Sequence, residues 1–255
     1  MRKLFPLLLA SLVACGDGAL GGVDGAAGVD GWAGWGDAHG ADASVTDDAF
    51  QPMVGFGDLS GACGVLDDDE WQSSAPFLFA NSIDFGDTGY TADDFDLLSE
   101  GGQKIIVDGN AGGNSLMSEV FAYEVLHRCE WADLLKTENE IVYDTEGKIT
   151  DLLVDIDDRK VGVSVTRAYA YPPDDPYTVA QAKELLEGKL ADILQSSADV
   201  APEDAWVRQI LQVLAYQPEH AAAVAEAWAT IDPALRADTI VMVTTTDGDD
   251  GFIYE

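Results

Sequence analysis

Positive charge is what this sequence lacks most. Lys and Arg total 13 against 47 Asp and Glu, for a formal net charge of −34. Nucleic-acid binding depends on Lys and Arg neutralising phosphates, so a surface of this sign repels nucleic acid, and anionic lipid headgroups with it. Solubility or a salty habitat is the general physical meaning of such acidity. Histidine is scarce too: His39, His127 and His220 stand far apart. The three cysteines, Cys15, Cys63 and Cys129, form no Cys-x-x-Cys pair. A structural zinc site draws its ligands from local Cys and His pairs, so this pattern argues against one. No apolar run reaches the roughly 20 residues that cross a bilayer. Gly-x-Ser-x-Gly, His-Glu-x-x-His and Walker phosphate-loop patterns are also missing.

What is present begins at the N-terminus. Arg2 and Lys3 precede an apolar run from Leu4 to Val13, followed by Ala14, Cys15 and Gly16. A basic start, a short apolar core and small residues are the parts of a secretory signal. The tetrad Leu12-Val13-Ala14-Cys15 resembles the lipobox of bacterial lipoproteins. That resemblance implies cleavage before Cys15, acylation of its thiol, and attachment to a bacterial membrane, with inner and outer membrane left open. Residues 16 to 52 are mostly Gly, Ala and Asp, with Trp32, Trp35 and His39 scattered among them and no Lys or Arg. Gly-rich, like-charged chain behaves as extended coil, and we read it as a tether. The organisation expected is a signal at 1–14, a lipidated cysteine and acidic tether at 15–52, and one α/β domain at 53–255.

With Cys15 assigned to the lipid, Cys63 and Cys129 remain. An exported chain meets an oxidising compartment, which permits a disulfide between them. Bonding also requires Cα atoms within about 7 Å, which spacing does not decide.

Within the domain, Phe77–Phe79 and Lys104–Val107 read as strands between Gly-rich turns at 86–89, 101–102 and 111–113. Residues 115–128 read as a helix capped by Asn114 or Ser115. Strands follow at 138–143, 149–156 and 160–167, then a helix over 179–195 capped by Thr178, a strand at 207–216, a helix at 219–229 and a strand at 239–245. Strands joined by tight turns pair antiparallel, whereas β-α-β crossovers pair parallel. A mixed sheet with helices on its faces is therefore expected.

That α-β-β-β-α-β-α-β order, with the residues around 119–167, resembles the restriction-endonuclease-like PD-(D/E)xK superfamily. Active members carry an acid on the first helix, an aspartate opening the second strand and Glu-x-Lys on the third. Here Glu119 lies on the helix and Asp151 opens the second strand, but Ser164-Val165-Thr166 stands where Glu-x-Lys belongs. The resemblance implies a magnesium or manganese ion held by Glu119 and Asp151 if the chain is an enzyme. Carboxylates hold such an ion, which lowers the pKa of attacking water, and Ser164 and Thr166 supply neither charge. Asp155 and Glu140 are candidate reinforcements. Lys189 falls inside the apolar stripe of the helix 179–195 at about 100° per residue, where it either replaces the missing lysine or snorkels along the core edge. Glu119, on a helix apolar almost all round, needs a partner or a proton, and Arg167 is one candidate.

Three functional readings follow. A binding domain without catalysis or cofactor, on a nuclease-like scaffold, fits the missing Glu-x-Lys and leads. A metal-dependent phosphodiesterase using Glu119, Asp151 and Lys189 fits the layout. A module that binds another envelope protein fits the anchoring.

Overall fold

The computed structural model describes residues 57–253, except 87–88, 112–114, 173–174 and 249. All of them belong to the unit Val45–Glu255. The signal, Cys15, the tether and the capping role of Asn114 lie outside the described residues.

Among the described residues, seven strands and six α-helices follow the order β1 (Asp58–Gly61), α1 (Asp68–Gln72), β2 (Phe77–Asp84), α2 (Glu100–Asp108), α3 (Leu116–Glu130), β3 (Asp133–Thr137), β4 (Leu152–Ile156), β5 (Arg159–Ala168), α4 (Val179–Asp199), β6 (Arg208–Ala215), α5 (Pro218–Thr230), α6 (Pro233–Arg236) and β7 (Ile240–Thr245). They form one sheet ordered β1-β2-β7-β6-β5-β4-β3. β3, β4 and β5 pair antiparallel, β5, β6, β7 and β2 pair parallel, and β1 pairs antiparallel with β2. The mixed sheet and the expected order from the helix near residue 115 onward are both present. No described helix is long and apolar enough to cross a membrane.

Local chemistry explains most boundaries. Asp157 and Asp158 both adopt positive φ, 54° and 61°. Aspartate is among the few side chains that tolerate that region, which permits the tight β4–β5 turn. Along β5, Val161, Val163 and Val165 join the core under α3, while Ala168 joins the one under α4 and α5. Gly162 on the second face lies against Trp206, whose ring atoms would sit 2.9 Å from an added Cβ. The small face of this strand thus serves close packing. Thr178 opens α4 with a capping box completed by Gln181.

Two elements differ from the sequence reading. Residues 104–107 belong to α2 and not to a strand. Gly101 and Gly102 look like a turn, yet both lie in this helix, where an added Cβ would overlap the Tyr123 hydroxyl and the Glu124 carboxylate. These glycines let two helices approach. The strand expected at 138–143 instead occupies 133–137, because Trp131, in the left-handed region at φ 55°, ends α3 and turns the chain directly into it. Near the C-terminus, Asp250 and Ile253 are both fully enclosed.

β3 is one of the sheet's two outer strands, and side chains occupy its outer edge. Tyr123 Oη donates to Ala132 O at 3.3 Å and accepts from Leu134 N at 3.2 Å, while Glu140 accepts from Thr137 N at 3.1 Å. An unpaired edge is a template for further strands, and these contacts blunt it.

Cys63 and Cys129 are disulfide-bonded, with Cα atoms 4.5 Å apart. Beside them Glu130 accepts the backbone N–H of Gly64, Val65 and Leu66 at 2.9, 3.3 and 3.0 Å. The two contacts clasp the segment before α1 onto the end of α3.

Gly101→Ala will lower thermal stability by about 1–3 kcal/mol, the usual cost of overpacking, although Ala is the better helix former. Thermal unfolding followed by circular dichroism measures it, and an unchanged midpoint would mean that α2 does not need the close approach.

Candidate functional site

β5 runs to Ala168, but β4 begins only at Leu152, opposite Val163. Past that last rung the N–H of Val165 has no strand partner on the β4 side. Asp151, just ahead of β4, supplies one: its Oδ2 accepts from Val165 N at 2.7 Å. Buried backbone donors need such partners, so this contact fixes the carboxylate against the middle residue of Ser164-Val165-Thr166. Burial chiefly raises the Asp151 pKa and the charge of Glu138 adds to it, while Lys189 and the Val165 N–H oppose the rise.

Glu119 projects from the first turns of α3 and is 2% exposed. Ser115 Oγ donates to its Oε1 at 2.9 Å and Asn110 Nδ2 at 3.3 Å, and Asn110 also reaches Ser115 Oγ at 2.8 Å. Ser115 is the N-cap residue, but its hydroxyl serves Glu119 and accepts no backbone N–H. Arg167, the partner considered from sequence, instead donates to Ile253 O at 3.2 Å. Burial first, then the charge of Asp151, pushes the Glu119 pKa up to about 7 against the two hydrogen bonds.

Lys189 comes from α4. Of the lysines and arginines among the described residues, it alone has no hydrogen bond, ion pair or ring contact, and its charge is felt at Asp151. The fold therefore brings Glu119, Asp151 and Lys189 into one electrostatic neighbourhood. Glu138 belongs to it as well, since its charge raises both carboxyls, and it accepts from Ala111 N. Sequence reasoning passed over Glu138 and Asn110, because neither sits at a motif position. The two proposed reinforcements lie elsewhere. Glu140 pairs with Lys104, and Asp155 accepts from Asp158 N at 3.1 Å in the β4–β5 turn.

Chemically the cluster is a protonatable carboxyl facing a second carboxyl, with one lysine in range. It is not a ready metal cage. Among the described residues no three His, Cys, Asp or Glu side chains are gathered so as to hold an ion. Ser164 adds no charge, and its hydroxyl lies 3.4 Å from Gln209 Oε1 in a buried network that continues to Thr150, Ser196 and Ser197.

No family model matches the chain. A curated relative, the AAC-rich mRNA clone AAC4 protein of Dictyostelium discoideum, is 38% identical over 153 residues, covering 58% of this chain. The chain spans only 22% of that protein's length. Among solved structures, SfsA of Pyrococcus furiosus, determined in complex with Ca2+, aligns with 52% of this chain and 58% of its own at 14% identity and a TM-score of 0.29. A likeness that small carries neither fold nor function across.

A carboxyl near 7 in the fold and about 4.5 when unfolded binds its proton more tightly in the native state. Its contribution therefore favours folding at low pH and turns into a cost as pH rises from about 4.5 through about 7. Glu119→Gln will leave stability unchanged at pH 4 and raise it by on the order of 2–3 kcal/mol at pH 8. Urea unfolding at both pH values tests this, and an equal effect at the two would show that Glu119 does not titrate in this range.

Proposed function

We propose that the chain is a membrane-anchored bacterial lipoprotein whose domain is a binding module on a nuclease-like scaffold. The observation that carries this is the state of the third strand. Where active nucleases of the resembling superfamily carry Glu-x-Lys, Ser164 is committed to Gln209 and Val165 meets Asp151 through its backbone N–H. Ser164 and Val165 are buried, Thr166 is half-buried, and none of the three offers a charge to a phosphodiester. A fold does not confer the activity of its relatives. Two further facts support the anchoring half. The N-terminal apolar run leads into Leu12-Val13-Ala14-Cys15, which resembles a lipobox, and the Cys63–Cys129 bond suits an exported chain, since disulfides persist in oxidising compartments. The membrane is then reached through lipid on Cys15, the partner is another envelope protein, and the acidic surface keeps nucleic acid away.

One observation favours the second reading, a metal-dependent phosphodiester hydrolase. Lys189 is uncommitted and lies in charge range of Asp151. Magnesium sites use one or two carboxylates completed by substrate phosphates, and in this reading Glu119 and Asp151 would hold the ion.

Calorimetry with magnesium and manganese on the full chain separates the two. The binding-module reading expects no heat that depends on Asp151; tight binding abolished by Asp151→Ala would transfer the conclusion to the hydrolase. Anchoring is tested separately with radiolabelled palmitate in cells. Label is expected in the wild-type chain and not in Cys15→Ser, and equal label in both would remove the lipoprotein assignment.

A further inference from the structure

A second cluster lies away from Glu119 and Asp151, where the connections from β5 to α4 and from β6 to α5 leave the sheet. Both begin at the carboxyl ends of parallel strands, the side on which open α/β sheets place ligands. His220, in the first turn of α5, is 5% exposed. Its Nδ1 lies 3.0 Å from Ala168 O, which also accepts Tyr216 N at 3.2 Å. A carbonyl only accepts, so Nδ1 carries the proton, and in the neutral ring Nε2 is left as an acceptor. No described group bonds to that nitrogen.

Two tyrosine rings flank the imidazole. Tyr177 lies 5.0 Å away, tilted 43°, and Tyr216 lies 5.8 Å away, tilted 38°. The Tyr177 hydroxyl is buried and has no hydrogen-bond partner. Burial also holds it protonated, with its pKa pushed up to about 12. A buried donor without a partner and an acceptor without a protein partner thus sit on adjacent rings without bonding to each other. Leaving such a donor unmet is costly, and each such group calls for an explanation. A hydroxyl group answers both demands, because it accepts and donates at one oxygen.

We propose that Tyr177 and His220 hold a hydroxyl group of a small ligand whose apolar face lies against the tyrosine rings. His220 Nε2 takes the ligand's O–H, and Tyr177 donates to the ligand's oxygen. Neither residue belongs to the carboxylate cluster, so this site stands or falls independently of the proposed function.

The test is nitrogen-15 histidine NMR on the full chain, with phenol as a probe bearing a hydroxyl and an apolar face, and glycerol as one bearing hydroxyls alone. Comparison with His220→Gln assigns the resonance. His127 serves as the internal control, since its Nδ1 is tied in the same way to Ala132 O at 2.7 Å. Phenol should shift the His220 Nε2 signal saturably and leave His127 in place. Tyr177→Phe, which keeps the ring, should weaken binding about fivefold to tenfold, the weight of one hydrogen bond, and glycerol should bind more weakly than phenol. An unmoved His220 signal would mean that water alone meets these groups and would overturn the proposal. Equal affinity in Tyr177→Phe would remove Tyr177 from the site, and equal response to glycerol would remove the apolar face.

Discussion

Burial of α3 is the constraint on which the rest of the structure depends. Eleven of its fifteen residues are buried, so it has almost no solvent side and must be enclosed by other elements. The sheet takes one flank through Val161, Val163 and Val165. α2 takes another, at a distance only Gly101 and Gly102 allow. Polar groups on such a helix must each be paired, and they are. Glu124 accepts from Ser99 and Arg128, Glu130 from three backbone N–H groups, and Glu119 from Ser115 and Asn110. Each of these carboxylates ties a different loop to the helix, so the burial that shapes the core also sets the site.

The same economy governs the few cations. Lys104, Arg128, Lys136, Lys148, Arg159 and Lys183 are engaged in ion pairs. Arg208, 3% exposed, donates to the carbonyls of Glu70, Ser73, Ala75 and Asp238 and holds α1 against the amino ends of the strands. A guanidinium suits this task because its five donors are always charged and fixed in a plane. With most of the basic residues engaged by carboxylates or carbonyls, the excess charge left over is carboxylate. Lys189 is the departure from this pattern, and its charge is felt at Asp151.

Much of the order of elements was legible because it rests on local signals. Thr178 marks the start of α4, tight turns mark the antiparallel strands, and helical crossovers mark the parallel ones. Glu119, Asp151 and Lys189 could be named because layout and helical periodicity point to them. The failures share a cause. Gly101-Gly102 signals a turn to any reading of local propensity, and only the partner helix shows that the glycines are spaces for Tyr123 and Glu124. Glu138, Glu140 and Asp155 are near-equivalent as letters. Their separation into one site neighbour, one ion-pair partner and one turn residue follows from where loops cross in space.

The sequence by itself determined the charge, the helix and strand order from residue 115 onward and the mixed sheet, because each depends on composition or on short-range periodicity. Only the tertiary structure decided that Cys63 meets Cys129, that Val165 presents its N–H to Asp151, and that Tyr177 and His220 stand together. Those pairings join residues distant in the chain, and their geometry is set by the packing of α3, α4 and α5 on the sheet.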